Sequence, residues 1–164
     1  MHPDKTQIVY CKDSNRVGNR ENISFTFLGY TFKPRKAKGQ DSKSFTSFLP
    51  AISQKAKTNI SQEICGWRLL WMTQKSIDQI AEYINPVMRG WLNYYGRYGK
   101  KELARVLDNT NYHLMRWVQR KYKKCRHSPK KAYQYLVRVH DANLRLFAHW
   151  EVGISPSIGV IRAG

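Results

Sequence analysis

The chain has 164 residues, with 29 Lys and Arg against 11 Asp and Glu, a formal net charge of +18 and a pI near 10.1. Such an excess costs stability through self-repulsion unless a polyanion supplies the opposite charge. Nucleic acid is therefore the expected partner, an anionic membrane surface the rival, and basicity for solubility alone the weaker account. The 41% hydrophobic and 13% aromatic content argues against intrinsic disorder, and the length allows one ordinary core or two very small ones. No apolar stretch approaches the about 20 residues of a membrane span, and the polar start MHPDKTQ has no signal-peptide core, so a cytoplasmic location and no membrane partner are expected.

In chain order, Thr6 to Lys12 alternates around Ile8 and Tyr10 and reads as a strand. A loop over Asp13 to Asn22 leads to a second strand, Ile23 to Phe32, dense in β-branched and aromatic residues. Pro34 should end it, because proline has no amide hydrogen for the ladder. Two strands alone are marginal, so the first 35 residues read as an edge cut from a larger sheet. Lys33 to Lys43, with Arg35, Lys36 and Lys38 and the breakers Pro34 and Gly39, reads as a basic surface linker, and Phe45 to Ile52 as a short strand.

From Ser53 the expectation is helical. Ser53 caps a helix to about Cys65, closed by Gly66. Ile77, Ile80, Ala81 and Ile84 share a face of a helix starting at Thr73 or Lys75. Asn85 and Pro86 then read as N-cap and N1 of a further helix ending near Gly96 or Gly99. From Lys100 to about Arg126 the spacing predicts one long amphipathic helix. Leu103, Val106, Leu107, Leu114, Trp117, Val118, Tyr122 and Cys125 face inward, and Arg105, Arg116, Arg120, Lys123 and Lys124 lie off that face. Ser128 and Pro129 start a last helix with Ala132, Leu136, Val139, Asn143, Leu146 and Trp150 inside, and with Asp141 paired to Arg145 outside. A loosely held tail follows Val152. The fold class is α+β, mainly α: an N-terminal β-hairpin followed by an antiparallel helical bundle, divided as 1–35, a linker and strand over 36–52, the helical domain 53–153 and the tail 154–164.

Catalytic chemistry has little to work with. Two-metal chemistry needs converging carboxylates, and the expectation is that the acids form no adjacent and no i, i+3/i+4 pair that a helix could point at one metal; no Gly-rich phosphate loop, GxSxG elbow or Cys–His dyad stands out. Cys11, Cys65 and Cys125 are odd in number and far apart, which suits reduced thiols, and Cys125 with His127 is the sole close Cys and His pair. No catalytic residue, metal or cofactor is expected, and His113, His140 and His149 read as packed or hydrogen-bonded imidazoles. The informative run is Ile84 to Lys101, where Trp91, Tyr94, Tyr95 and Tyr98 alternate with Arg89, Arg97, Lys100 and Lys101. Rings that can stack on bases beside cations that neutralise phosphates suit a nucleic-acid surface. Trp91 and Trp117 read as core, whereas Tyr95 and Tyr98 stand as stacking candidates.

These segments resemble the C-terminal part of group II intron-encoded reverse transcriptase and maturase proteins, over about His2 to Gly153. HPDKTQIVYCKD is similar to the late palm motif of that family, with Lys5 as its lysine. FTFLGYTF is similar to the primer-grip hairpin and contributes Phe27, Leu28, Gly29 and Tyr30. NPVMRGWLNYYGRYG resembles the signature of the maturase-specific thumb, or domain X, and RVHDANLRLFAHW its final helix. The family's Tyr-Ala-Asp-Asp type turn and earlier aspartate would lie N-terminal to this sequence, as would its fingers, so Met1 before HPDKT suggests a truncated reading frame or a deliberately cut piece. No Cys/His-rich endonuclease segment follows Gly153.

The resemblance implies a palm remnant followed by a thumb that binds folded intron RNA for RNA-catalysed splicing and is no enzyme on its own. The residues expected on RNA are Arg89, Tyr95, Arg97, Tyr98, Lys100, Lys101, Arg116, Arg120, Lys123 and Lys124. Implied partners are group II intron RNA or another structured RNA, an RNA/DNA duplex, and a separate N-terminal reverse transcriptase piece. The alternatives are one half of a split RNA-directed DNA polymerase, in which Lys5 and the primer-grip hairpin would matter, and a degenerate relic with generic polyanion binding.

Overall fold

The computed structural model describes residues 8–15, 18, 20, 22–38 and 44–157. It is α+β and mainly α, with a small antiparallel sheet followed by helices. Lys5 and the first residues of the strand expected from Thr6 lie outside the described residues. Two compact units are present, residues 1–56 and 57–164.

In the first unit three strands, β1 (Phe25–Phe27), β2 (Tyr30–Lys38) and β3 (Ser44–Ile52), pair in sequence order, each antiparallel to the next. The structure corrects the sequence reading of this unit in three places. Residues 8–13 carry no strand, although the Tyr10 amide donates to the Asn22 carbonyl at 2.8 Å. The expected strand Ile23 to Phe32 is folded back on itself at Leu28 and Gly29, whose φ angles of 47° and 78° are the left-handed values a two-residue hairpin loop demands. Finally, Lys33 to Lys38 is strand rather than linker and runs straight through Pro34, opposite Phe48. β1 pairs with Tyr30 to Phe32, so from Lys33 onward β2 has no strand beside it on that side among the described residues, and a missing amide hydrogen there breaks no ladder bond.

Ser53 caps α1 (Gln54–Gly66) as expected, its Oγ accepting from the Ala56 amide at 3.1 Å. The second unit builds its core from Ile60 and Ile64 of α1, Trp67 and Leu69 after it, and the inner faces of α2 (Ile77–Tyr95), α3 (Lys100–Leu107), α4 (Asn109–Lys121) and α5 (Pro129–Ala142). Full burial of each Leu, Ile or Met in these rows contributes about 1.5–3 kcal/mol. A 3-10 turn at Leu69–Trp71 joins α1 to α2, a second at Lys123–Cys125 joins α4 to α5, and the short α6 (Ala148–Glu151) packs on α2.

The helix boundaries differ from the sequence reading at several polar residues. α2 starts at Ile77, because Ser76 and Gln79 form a capping box: Ser76 Oγ accepts from the Gln79 amide, and the Ser76 amide donates to Gln79 Oε1 at 2.9 Å. Asn85 and Pro86 do not start a new helix; α2 passes through both. Asn85 is instead buried, donating through Nδ2 to the Leu146 carbonyl and accepting from the Ala148 amide, both at 2.9 Å. It therefore caps α6 from a different helix.

The single helix expected over Lys100 to Arg126 is interrupted at Asp108 and at Tyr122. Between Leu107 and Leu114 the buried positions are Thr110 and Asn111, a polar interval in the apolar row. Ser128 caps α5 through the Lys131 amide with Pro129 in its first turn, as expected. α5 stops at Ala142, however, because Asn143 leaves the helix at φ −148° and its Oδ1 takes the Arg145 amide at 3.1 Å. Asn143 is thus exposed rather than on an inner face, Arg145 is beyond the helix, and Asp141 bonds His140 Nδ1 at 2.9 Å. The described part of the tail is tied down: the Ile154 amide reaches the His149 carbonyl at 3.0 Å, and Pro156 is buried.

Candidate nucleic-acid interface

The cations expected on RNA fall in three places within the second unit. Arg89 projects from α2 and lies 3.8 Å from Glu151 of α6, both partly exposed, a pair worth at most about 1 kcal/mol. Arg97, Lys100 and Lys101 lie at the junction of α2 and α3, where Gly99 at φ 75° supplies the left-handed residue from which α3 starts. All three are exposed. Arg116 and Arg120 occupy successive turns of α4, and Lys123 and Lys124 follow in the 3-10 turn, all four exposed. Among the described residues Arg97, Lys100, Lys101, Arg116, Arg120, Lys123 and Lys124 form no ion pair, whereas cationic protein surfaces ordinarily intersperse both signs.

The aromatic candidates divide. Trp117 is fully buried, and its indole Nε1 donates to the Met72 carbonyl at 3.0 Å. Trp91 is half-buried and stacks on buried Trp67 with ring centroids 5.7 Å apart. Tyr95 is half-buried and meets Tyr94 edge to face at 4.8 Å; burial, then the neighbouring Tyr94, pushes its phenol up from the ordinary value. Tyr98 is exposed, with the Arg97 guanidinium 5.8 Å from its ring centroid.

In the first unit, Phe27 and Leu28 are exposed at the tip of the hairpin, and Gly29 and Tyr30 are half-buried. The Ser53 amide donates to the Gly29 carbonyl at 2.8 Å, and Thr26 and Thr31 bond across the strands at 3.0 Å, so the loop is held from both sides.

Sequence reasoning missed several residues that the tertiary structure places. Trp71 is 67% exposed and carries the Arg120 guanidinium 4.1 Å from its ring centroid. Lys121, adjacent to Arg120, turns the other way and donates to the Thr73 and Lys75 carbonyls at 2.9 and 2.6 Å. The near repeat of Trp67 and Trp71 was the available signal: a continuing helix would have put both on one face, but Arg68 adopts φ 49° and separates them. Cys65 and His113 come within 3.7 Å although they are 48 residues apart, and burial pulls the His113 imidazole below its ordinary value. Asp78 and Glu82 stand on successive turns of α2, both exposed, an i, i+4 carboxylate pair that corrects the expectation of none; among the described residues no third ligand lies beside them. Among the described residues no group of His, Cys, Asp and Glu could hold a metal ion, and no helix is long and apolar enough to cross a membrane.

Residues 57–136 match the family model described as the group II intron, maturase-specific domain. No curated protein and no solved structure gives a significant match. The matched stretch begins in α1 and ends within α5, so it contains Arg89, the α2–α3 junction, Arg116, Arg120 and the turn with Lys123 and Lys124.

Proposed function

Since residues 57–136 match the family model of the group II intron maturase-specific domain, we propose that this chain binds folded group II intron RNA and stabilises it for splicing, without making or breaking covalent bonds itself. The observation that carries this reading is the run of exposed cations from Arg116 to Lys124, which has no carboxylate partner among the described residues. Where RNA segments pack closely, phosphates repel. Cations fixed on one helix and the turn after it relieve that repulsion and release counterions. The second cationic group, Arg97, Lys100 and Lys101, offers another set of phosphate contacts, with Tyr95 and Tyr98 beside it as stacking groups. On this reading residues 53–153 act as a thumb and residues 1–35 as a palm remnant.

A second reading, a piece of a split reverse transcriptase, draws on the hairpin tip at Phe27 to Tyr30, where Phe27 and Leu28 are exposed and Leu28 is held in a left-handed conformation. Strain of this kind is often kept where a backbone contacts a ligand. Primer extension after mixing with an N-terminal piece that carries the catalytic aspartates tests it.

The maturase reading is tested by equilibrium titration against a group II intron RNA, an unrelated structured RNA and duplex DNA at two salt concentrations. Preference for the intron that survives the higher salt supports it. Equal affinities that collapse together would assign the chain generic polyanion binding instead.

A further inference from the structure

We propose that Trp71 and Arg120 form a stacking site for one unpaired base of RNA, with Arg116, Lys123 and Lys124 as the phosphate contacts that flank it. The inference rests on the reading of the chain as an RNA-binding domain and adds to it a particular feature of the RNA, a nucleotide that is out of the helical stack.

Of the five tryptophans, Trp71 is the one that is exposed. Nothing about it is loose. Leu69, two residues earlier, is fully buried, and the Trp71 amide donates to the Arg68 carbonyl at 2.8 Å. On the other side the Met72 carbonyl accepts from the Trp117 indole, and Lys121 holds the Thr73 and Lys75 carbonyls. A large aromatic ring is thus presented to solvent on a pinned turn, so little chain entropy is lost when a ligand covers it.

The chemistry of its surroundings selects the ligand. The Arg120 guanidinium covers part of the ring at 4.1 Å, and 67% of the residue remains exposed. An indole with a guanidinium at its face is a platform for a planar group that carries negative charge nearby, which describes a nucleotide. Arg116 lies one turn before Arg120, and Lys123 and Lys124 follow directly, so phosphates on either side of a stacked base meet cations. A base within a duplex is already stacked on its neighbours and offers no free face. The partner is therefore a bulged, looped or single-stranded nucleotide.

The test uses the full chain and two RNA hairpins identical except for one bulged adenosine in the stem, with affinities measured in competition. Wild type should prefer the bulged hairpin by on the order of tenfold. Trp71→Leu, which keeps apolar bulk without a π face, should bind both hairpins with the affinity of the unbulged one, and Trp71→Phe should retain most of the preference. Thermal melting should be the same for all three proteins. Wild type binding both hairpins equally, or Trp71→Leu keeping the preference, overturns the proposal and leaves RNA binding itself standing. Failure to bind either hairpin or any intron RNA overturns both.

Discussion

The carboxamide oxygen of Asn111 accepts from His149 Nε2 at 2.9 Å and fixes that imidazole in the tautomer whose Nδ1 carries no proton. The same oxygen accepts from the Trp150 indole at 2.9 Å, while Asn111 Nδ2 donates to Asp108 Oδ1 and to the Ile154 carbonyl at 3.0 and 3.2 Å. One buried side chain thus joins the start of α4 to α6 and to the residues after it. Replacing Asn111 by Ala leaves two buried donors without an acceptor, each costing about 1–3 kcal/mol. The expected loss is about 3 kcal/mol or more in urea denaturation. A loss below about 1 kcal/mol would mean that the node does not hold this end of the fold.

His149 makes stability depend on pH. It is fully buried, its Nδ1 has no partner among the described residues, and burial lowers its pKa from 6.5 to about 3. The unfolded chain takes up a proton below about 6.5 that the folded chain refuses. The contribution is therefore complete above that pH and is lost progressively as pH falls toward about 3. His113, lowered for the same reason, adds a slope of the same sign. His149→Gln, which keeps a donor for Asn111, should flatten the fall in melting temperature between pH 6.5 and pH 4.5. An unchanged slope would remove His149 as its cause.

Trp117 should behave as a core residue although it lies on the most cationic helix. Its ring is fully buried and its indole nitrogen is committed to the Met72 carbonyl. Trp117→Ala is expected to cost about 3–5 kcal/mol in denaturation. A melting temperature equal to wild type would contradict that packing.

Adjacent lysines should separate stability from binding. Lys121→Met removes the ammonium that satisfies two carbonyls and should lower the melting temperature. The combined change of Arg116, Lys123 and Lys124 to Ala should leave melting unchanged but weaken RNA binding at low salt. It should also reduce the log–log salt slope by about one unit for each phosphate no longer neutralised. An unchanged slope would place the phosphates elsewhere.

Leu28 occupies a left-handed position that glycine or asparagine holds more cheaply. Leu28→Asn should stabilise the hairpin by about 1 kcal/mol, read as slower hydrogen exchange of the amides paired between Phe25 and Phe32. Faster exchange would show that the leucine side chain contributes more at this tip than its backbone strain costs.

Local signals carried the sequence reading where local physics decides. Ser53 and Ser128 cap their helices because a hydroxyl reaches an amide three residues on, and the inward rows of α2, α4 and α5 follow helical periodicity within a single element. The same logic misplaced Pro34 and Pro86. Whether a missing amide hydrogen matters depends on what lies beside the strand, and a helix can run through a proline when its apolar face continues from Ile84 to Met88.

The sequence by itself determined the charge, the α+β class, the capped starts and the pool of basic and aromatic residues from which an RNA surface can be drawn. Only the tertiary structure decided which members of that pool face outward. Trp67 and Trp71 have the same chemistry, as do Lys121 and Lys124, yet one of each pair is used by the fold. Apart from Asp108, the partners of Asn85 and Asn111 lie 38 to 63 residues away, beyond the reach of any periodic pattern. A buried polar group must be satisfied by whatever the packing brings to it, and that requirement is not written in its neighbours along the chain.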